Sequence, residues 1–385
     1  MSFREAGWLI FLAGLPFAHH FSQIFSLPLD IWQAQAAWSQ LWIIVLFFGN
    51  IGSRNKQPAL SNKPLACFLT WVGLLSLSMW VKTMCVQKAY PLSMLQATTH
   101  VILLVFFYQA AVSTWNVQFL AKLFKVLAWT GVIVMGYCFI QLFSLDQFYR
   151  DIDNGQPWAK DRLVGTIGNP THLSAYLAMM LPLFLLQKGR IWKVFTGICL
   201  AILYFTHSIT GWICATAVTT WWLWYNHRKW LWAFVLIIPL AIVWLKFNMN
   251  EFNPYGRLIV WPKFYEIFHE KSITGIGLGY IYELSKTIKN GDVLFQWRHV
   301  HNEYFQMAIE TGLIGLGLIF WMICSTVRKI AMLQKTPLLI ACAGILIAFG
   351  LNCMTNFPAH LWLLGSMALI AYCGIEVILR EEASG

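Results

Sequence analysis

The chain has 385 residues, of which 58% are apolar and only 11% charged, with a formal net charge of +11. A soluble chain of this length needs far more charge to stay dispersed, so a water-soluble fold is excluded. The basic surplus is not a nucleic-acid footprint, because Lys and Arg sit in short loops between apolar runs, where they act as orientation determinants.

In chain order, apolar runs long enough to span a bilayer, or nearly so, centre on 7–26, 36–52, 65–80, 97–113, 124–144 and 171–186. Further runs centre on 194–208, 209–225, 230–247, 304–324, 337–352 and 359–377. The runs are continuous rather than alternating, which excludes a lipid-facing barrel and predicts an all-α, polytopic integral membrane protein of about twelve transmembrane helices. Arg4 and an apolar run without a small-residue cleavage site predict a retained first helix. Most of the nine cysteines fall inside spans without CxxC or metal-site spacing, and read as small apolar fillers. Residues 1–385 are expected to form a single transmembrane domain, with no repeat and no soluble domain.

Orientation follows from the basic loops. Arg54, Lys56 and Lys63, then Lys122 and Lys125, then Lys188, Arg190 and Lys193 fall on one side of the count. Arg228 and Lys229, and then Arg328, Lys329 and Lys335, continue the series. That side is expected to be cytoplasmic, with both termini. The two longest polar segments, a shorter loop at 145–170 and a long one at 248–303, then lie outside. Within the second, Leu258, Ile259, Trp261, Phe264, Ile267 and Phe268 recur at roughly helical spacing between charges, predicting an amphipathic helix on the membrane surface.

The chemistry-bearing residues collect on that outer face. RHVHNEYFQMAIETGLIGLGLIF (298–320) carries a polar loop into an apolar helix, with His299 and His301 at its mouth and Asn302, Glu303 and Gln306 following. A lone histidine at a helix mouth is more often an interfacial hydrogen-bonder than a base. The HxH spacing lacks a nearby Asp or Cys to complete a metal site, so no metal is expected. Gly312, Gly315 and Gly317 are spaced to let another helix approach closely. Arg257 reads either as a snorkelling interfacial arginine or as a diphosphate clamp, since guanidinium matches phosphate oxygens with forked donors. GIGLG at 275–279 follows no strand and is not GxGxxG, so a nucleotide site is rejected and tight turns are expected. Arg162 opens RLVGTIGNPTHLSAYLA, where Asn169-Pro170-Thr171 predicts a helix start, either an ordinary cap or an anion site.

Taken together, RLVGTIGNPTHLSAYLA, GRLIVWPKFYEIFHEKSITGIGLG and HNEYFQMAIETGLIGLGLIF resemble, in this order, the O-antigen ligase and O-antigen polymerase superfamily. The likeness is close over roughly residues 160–324. It implies transfer of a glycan from undecaprenyl diphosphate at the periplasmic face of the bacterial inner membrane. The acceptor is a lipid A–core sugar for ligases, another repeat unit for polymerases, and a protein hydroxyl for related enzymes. By the resemblance, His301 is the base or positioning residue for the acceptor hydroxyl and Arg257 holds the diphosphate. Arg162, Asn302, Glu303 and His299 are the further substrate-binding candidates. One departure matters: many members carry a Ser-Arg pair where this chain has Ser208-Ile209-Thr210, which leaves open whether Arg162 or His207 substitutes.

Two classes compete. The enzyme reading needs cationic stabilisation of a diphosphate leaving group and a base for a hydroxyl, which arginine and neutral histidine supply without metal or cofactor. A lipid-linked saccharide transporter or flippase would place ionisable residues near the bilayer midplane in matched halves. Here the spans are nearly uncharged and the charges gather at one outer face. The expectation is therefore a metal-independent ligase-like glycosyltransferase, with a polymerase as the alternative. Its partners are the undecaprenyl-diphosphate-linked glycan, a saccharide acceptor and membrane lipids, with no nucleic acid.

Overall fold

A computed structural model describes residues 3–18, 31–48, 63–86, 92–143, 162–231, 255–282 and 299–384. Residues 232–247 of the expected span at 230–247, 145–161 of the expected loop at 145–170, and 248–254 and 283–298 of the expected loop at 248–303 lie outside the described residues. Among the described residues every regular element is helical. These are α1 (Phe3–Gly14), α2 (Ile31–Phe48), α3 (Lys63–Val86), α4 (Leu92–Thr114), α5 (Val117–Leu142) and α6 (Pro170–Leu186). Then follow α7 (Arg190–Phe205), α8 (Ile209–Asn226), α9 (Tyr255–Glu270), α10 (Glu303–Met332), α11 (Pro337–Cys353) and α12 (Trp362–Ser384).

Among the described residues, four helices are long and apolar enough to cross a membrane: Leu95–Thr114 in α4, α5, α10 and α12. At 1.5 Å per residue, a 20-residue helix covers the roughly 30 Å hydrocarbon core. Shorter apolar helices, α6 and α11 among them, accompany these four. Leu74, Leu77, Ile133, Phe320 and Val327 stand exposed on the outside of the bundle, a surface that suits lipid and not water.

The helix starts are written in short polar residues. Asn116, Asn169, Ser208, Asn302 and Thr336 each sit extended before a helix and accept one or two of its first N–H groups. α6 is apolar on all sides and is buried from His172 through Phe184, so it forms the centre, packed by α8, α11, α7 and α5. Small residues permit the crossings: a Cβ on Gly211 would lie 2.5 Å from Ser174 Cβ, and one on Gly374 would lie 2.8 Å from Cys342 Sγ.

α10 is broken. Gly312 has φ 70° and ψ −178°, and the turn 271–277 fills the break. Ile276 and Gly277 donate to Ile309 O and Glu310 O at 3.0 and 2.9 Å, and Leu313 donates to Ser272 O at 2.8 Å. Trp71 Nε1 caps the remaining Thr311 carbonyl at 2.9 Å. This corrects the reading of the three glycines as a helix-approach surface. Gly312 meets a loop backbone, a Cβ on Gly315 would meet Thr311 of its own helix, and Gly317 has nothing within 4 Å. The turn does use its glycines at positive φ, at 76°, 108° and 72° for Gly275, Gly277 and Gly279.

α9 also differs from expectation. Val260 and Phe264 are buried with Ile281, Val300 and Ile309, and Trp261, Phe268 and Phe305 pack around them. Its apolar face is therefore covered by the first turns of α10 rather than turned to lipid.

Candidate functional site

Helix direction puts the starts of α6, α8 and α10 and the end of α11 at one end of the bundle. Lys188, Arg228, Lys329 and Lys335 mark the other. Contacts pin the first end: Ser174 Oγ donates to Ser208 Oγ at 2.8 Å, Tyr304 Oη to Gly350 O at 3.0 Å, and the Thr210 and Thr355 hydroxyls meet at 3.0 Å. The other end is tied by Lys329 to Glu376 and by Arg380 to the carbonyls of Val112 and Trp115.

Arg257, in the first turn of α9, donates from Nη2 to Thr355 O at 2.9 Å and is half-buried. Burial lowers its pKa from the usual arginine value, yet a guanidinium stays charged at any physiological pH. Thr355 begins the connection from α11 to α12, whose Phe357 and His360 reach into the same space.

The lead into α10 is tightly constructed. Val300 is buried; its N–H donates to Gln306 Oε1 at 3.1 Å and its carbonyl accepts from Trp261 Nε1 at 2.9 Å. His301 then takes φ 54°, a left-handed conformation uncommon outside glycine, and delivers the chain to Asn302. Asn302 Oδ1 accepts from Phe305 N at 3.0 Å, closing the cap. Non-glycine residues held in this region accumulate where surrounding structure fixes them, functional sites above all.

Phe357 is the floor. His299 stacks on its ring at 4.1 Å and 13°; His301 meets it edge-on at 4.9 Å, and His172 does the same at 5.6 Å. Burial lowers the His299 pKa well below the ordinary value, and His360, His301 and His172 push the same way. Burial, then the charge of Arg257, lowers His301 to about 4. Both rings are therefore neutral at pH 7.

His360 is held differently. Its Nδ1 lies 3.0 Å from Glu303 Oε1, while Glu303 Oε2 accepts from Ala359 N at 3.1 Å. Burial opposes charge on His360, but Glu303 outweighs it and the pKa rises to about 9. Its Nε2 lies 3.2 Å from Gln306 Nε2. Gln306 Nε2 also lies 3.4 Å from both His299 Nδ1 and Glu310 Oε1.

The expected residues thus divide. Arg257, His299, His301, Asn302 and Glu303 come together. Asn302 acts as a helix cap, and Glu303, buried, is engaged by the 359–360 connection. Arg162 lies apart from Arg257 in its bonding: Nε donates to Thr206 O at 2.9 Å and Nη2 to His207 O at 3.3 Å, bracing the turn before α8. His207 itself has φ 51°. At the start of α6, Asn169 Oδ1 accepts from Thr171 N and His172 N, so the ordinary cap describes it and those donors are taken. His360, Phe357, Thr355 and His172 were not among the expected site residues. The signal available for His360 was its place after α11, on the same face as His301 by span count. Among the described residues no three His, Cys, Asp or Glu side chains are arranged to hold a metal ion.

Residues 194–320 match the family model described as O-antigen ligase. Over that stretch the chain is similar to the O-antigen ligase family. The family is one of glycan transferases, and the matched stretch runs from α7 into α10. It contains Arg257, His299, His301, Gln306 and Gly312, whereas Phe357 and His360 come to the site from beyond its matched end. Comparison with curated proteins gave no match.

Proposed function

We propose that this protein is an O-antigen ligase-like glycosyltransferase. It moves a glycan from undecaprenyl diphosphate to a saccharide hydroxyl, such as that of lipid A–core, at the periplasmic face of the bacterial inner membrane. One observation carries the reading: a cationic Arg257 and a neutral His301 share one end of the bundle, within the matched stretch. In this reading residues 1–385 form a single domain of about twelve spans. The segments 145–170 and 248–303 are its periplasmic loops.

The chemistry follows from the residues. Among the described residues Arg257 makes one hydrogen bond, so most of its five N–H donors are available to phosphate oxygens. His301 takes the proton of the acceptor hydroxyl as that oxygen attacks the anomeric carbon. The bond from that carbon to the diphosphate oxygen breaks, its electron pair leaves with undecaprenyl diphosphate, and the anomeric centre inverts. Nothing in these steps needs a metal.

The deciding experiment supplies purified protein in liposomes with an undecaprenyl-diphosphate-linked glycan and lipid A–core. One glycan added per core, undiminished by a chelator, supports the ligase reading. A ladder of repeat units made without core supports the polymerase instead, and transfer to neither acceptor overturns the enzyme reading.

Two further results are expected. Reporter fusions at Gly291 and Gln334 report opposite sides of the membrane, with Gln334 cytoplasmic; the same side for both removes the active-face assignment. Arg257→Lys keeps the charge but loses the fork, and with it most of the transfer, at normal protein level. Full activity in Arg257→Lys and Arg257→Ala would move the diphosphate clamp to another residue.

A further inference from the structure

We infer that His207 is a further substrate-binding residue of this site, whose ring donates a hydrogen bond to a phosphate oxygen of the lipid diphosphate held by Arg257. The inference rests on the transferase reading for the identity of that ligand.

Among the described residues two non-glycine residues have positive φ, and both are histidines: His207 at 51° and His301 at 54°. The likeness extends to what surrounds them. Each follows a fully buried residue, Thr206 or Val300, whose carbonyl accepts from a distant side chain at 2.9 Å. The donor is Arg162 Nε for Thr206 and Trp261 Nε1 for Val300. Each histidine then precedes an extended cap, Ser208 or Asn302. Those caps accept from Gly211 N at 3.3 Å and from Phe305 N at 3.0 Å. Both histidines are half-buried, at the starts of α8 and α10 on the same end of the bundle. The segment that delivers His301 is thus built a second time around His207.

The backbone alone does not account for a histidine at 207. Its left-handed turn closes α7, with His207 N donating to Tyr204 O at 3.0 Å, and glycine is the residue that usually takes this place. Histidine there carries a conformational cost that glycine avoids. Yet among the described residues the ring makes no hydrogen bond, and Tyr204, at 6.1 Å, is its aromatic neighbour. An imidazole N–H is therefore left for a ligand.

The surroundings suit an anion. Arg162 Nη2 lies 3.3 Å from the His207 carbonyl, so a guanidinium charge rests against the turn. The first turn of α8 is joined to the anchor of Arg257. The Thr210 hydroxyl meets that of Thr355 at 3.0 Å, and Thr355 O holds Arg257 Nη2 at 2.9 Å. With two of its donors engaged by the turn, Arg162 contributes charge and position, and His207 contributes the directed N–H.

The test measures binding to the full chain in lipid nanodiscs, with undecaprenyl diphosphate and undecaprenol as probes, alongside the melting temperature. His207→Gly removes the ring where glycine is best tolerated, and His207→Asn does so with a second residue that accepts positive φ. Both variants are expected to melt at or above the wild-type temperature. Both bind undecaprenyl diphosphate about 10–100-fold more weakly, the worth of one hydrogen bond to a charged group. Undecaprenol, which lacks phosphate, binds variants and wild type alike. Full affinity for the diphosphate in a normally melting variant would make this histidine a helix end and nothing more, and would overturn the inference. A lower melting temperature in both variants does so too, because the ring is then a packing residue. Wild-type protein that holds the two lipids equally instead overturns the donor assigned by the transferase reading, and this inference with it.

Discussion

Replacing His301 by alanine lowers glycan transfer by about 10²–10⁴-fold, the usual loss when a positioned general base is removed, while donor binding stays largely intact. The separation is expected because the diphosphate is assigned to Arg257, which is anchored on Thr355 O and not on His301. The pH profile carries a second signature. Burial and Arg257 lower His301 to about 4, so the ring is a free base at every pH above that value. Protonation removes the base, so the acid limb of kcat/KM, which reports the free enzyme, falls near pH 4 rather than near the ordinary histidine value of about 6.5. Arg257→Gln removes a cause of the depression and moves that limb upward. A His301→Ala variant with near-normal transfer at equal expression would reduce this histidine to an interfacial anchor. An acid limb that ignores Arg257 would uncouple the two residues.

The helices were legible because their signals are local. Continuous apolar runs gave α4, α5, α10 and α12. Asn169 and the Asn302 region marked starts that the structure confirms, since an N-cap is written within three residues of the N–H it satisfies. The site was legible only where its residues are neighbours in sequence. His299, His301 and Glu303 stand out in one segment, but Glu303 is engaged by Ala359, 56 residues away, and by His360 next to it. No spacing rule reaches across two helices. Arg162 shows the converse. It was a substrate-binding candidate by the resemblance alone, and nothing in its neighbourhood in sequence announced that two of its donors meet the carbonyls of Thr206 and His207. Periodicity also found α9 but not its covering, because an apolar stripe looks the same whether lipid or Phe305 and Ile309 lie against it.

Gly312→Ala has the other large effect expected, and it acts without touching substrate. At φ 70° and ψ −178°, position 312 is in a region that only glycine occupies at low cost, and strain there is worth about 1–3 kcal/mol. A Cβ would in addition lie 2.1 Å from Ile273 O, a backbone atom that cannot rotate aside. Relief requires the turn 271–277 to withdraw, and withdrawal breaks the bonds from Ile276, Gly277 and Leu313 that bridge the broken helix. Glu310 and Gln306 lie within two turns of that break on the same helix, so the movement is carried directly to His299 and His360. A misplacement of about 1 Å at a reacting centre can cost on the order of 10²-fold in rate, so transfer falls by about that factor alongside the loss of thermal stability. Gly317→Ala supplies the comparison, since nothing lies within 4 Å of its Cβ and its effect on both measurements is small. If the two variants unfold at the same temperature and transfer equally well, the turn at 271–277 is not what holds the site, and α10 bends there for another reason.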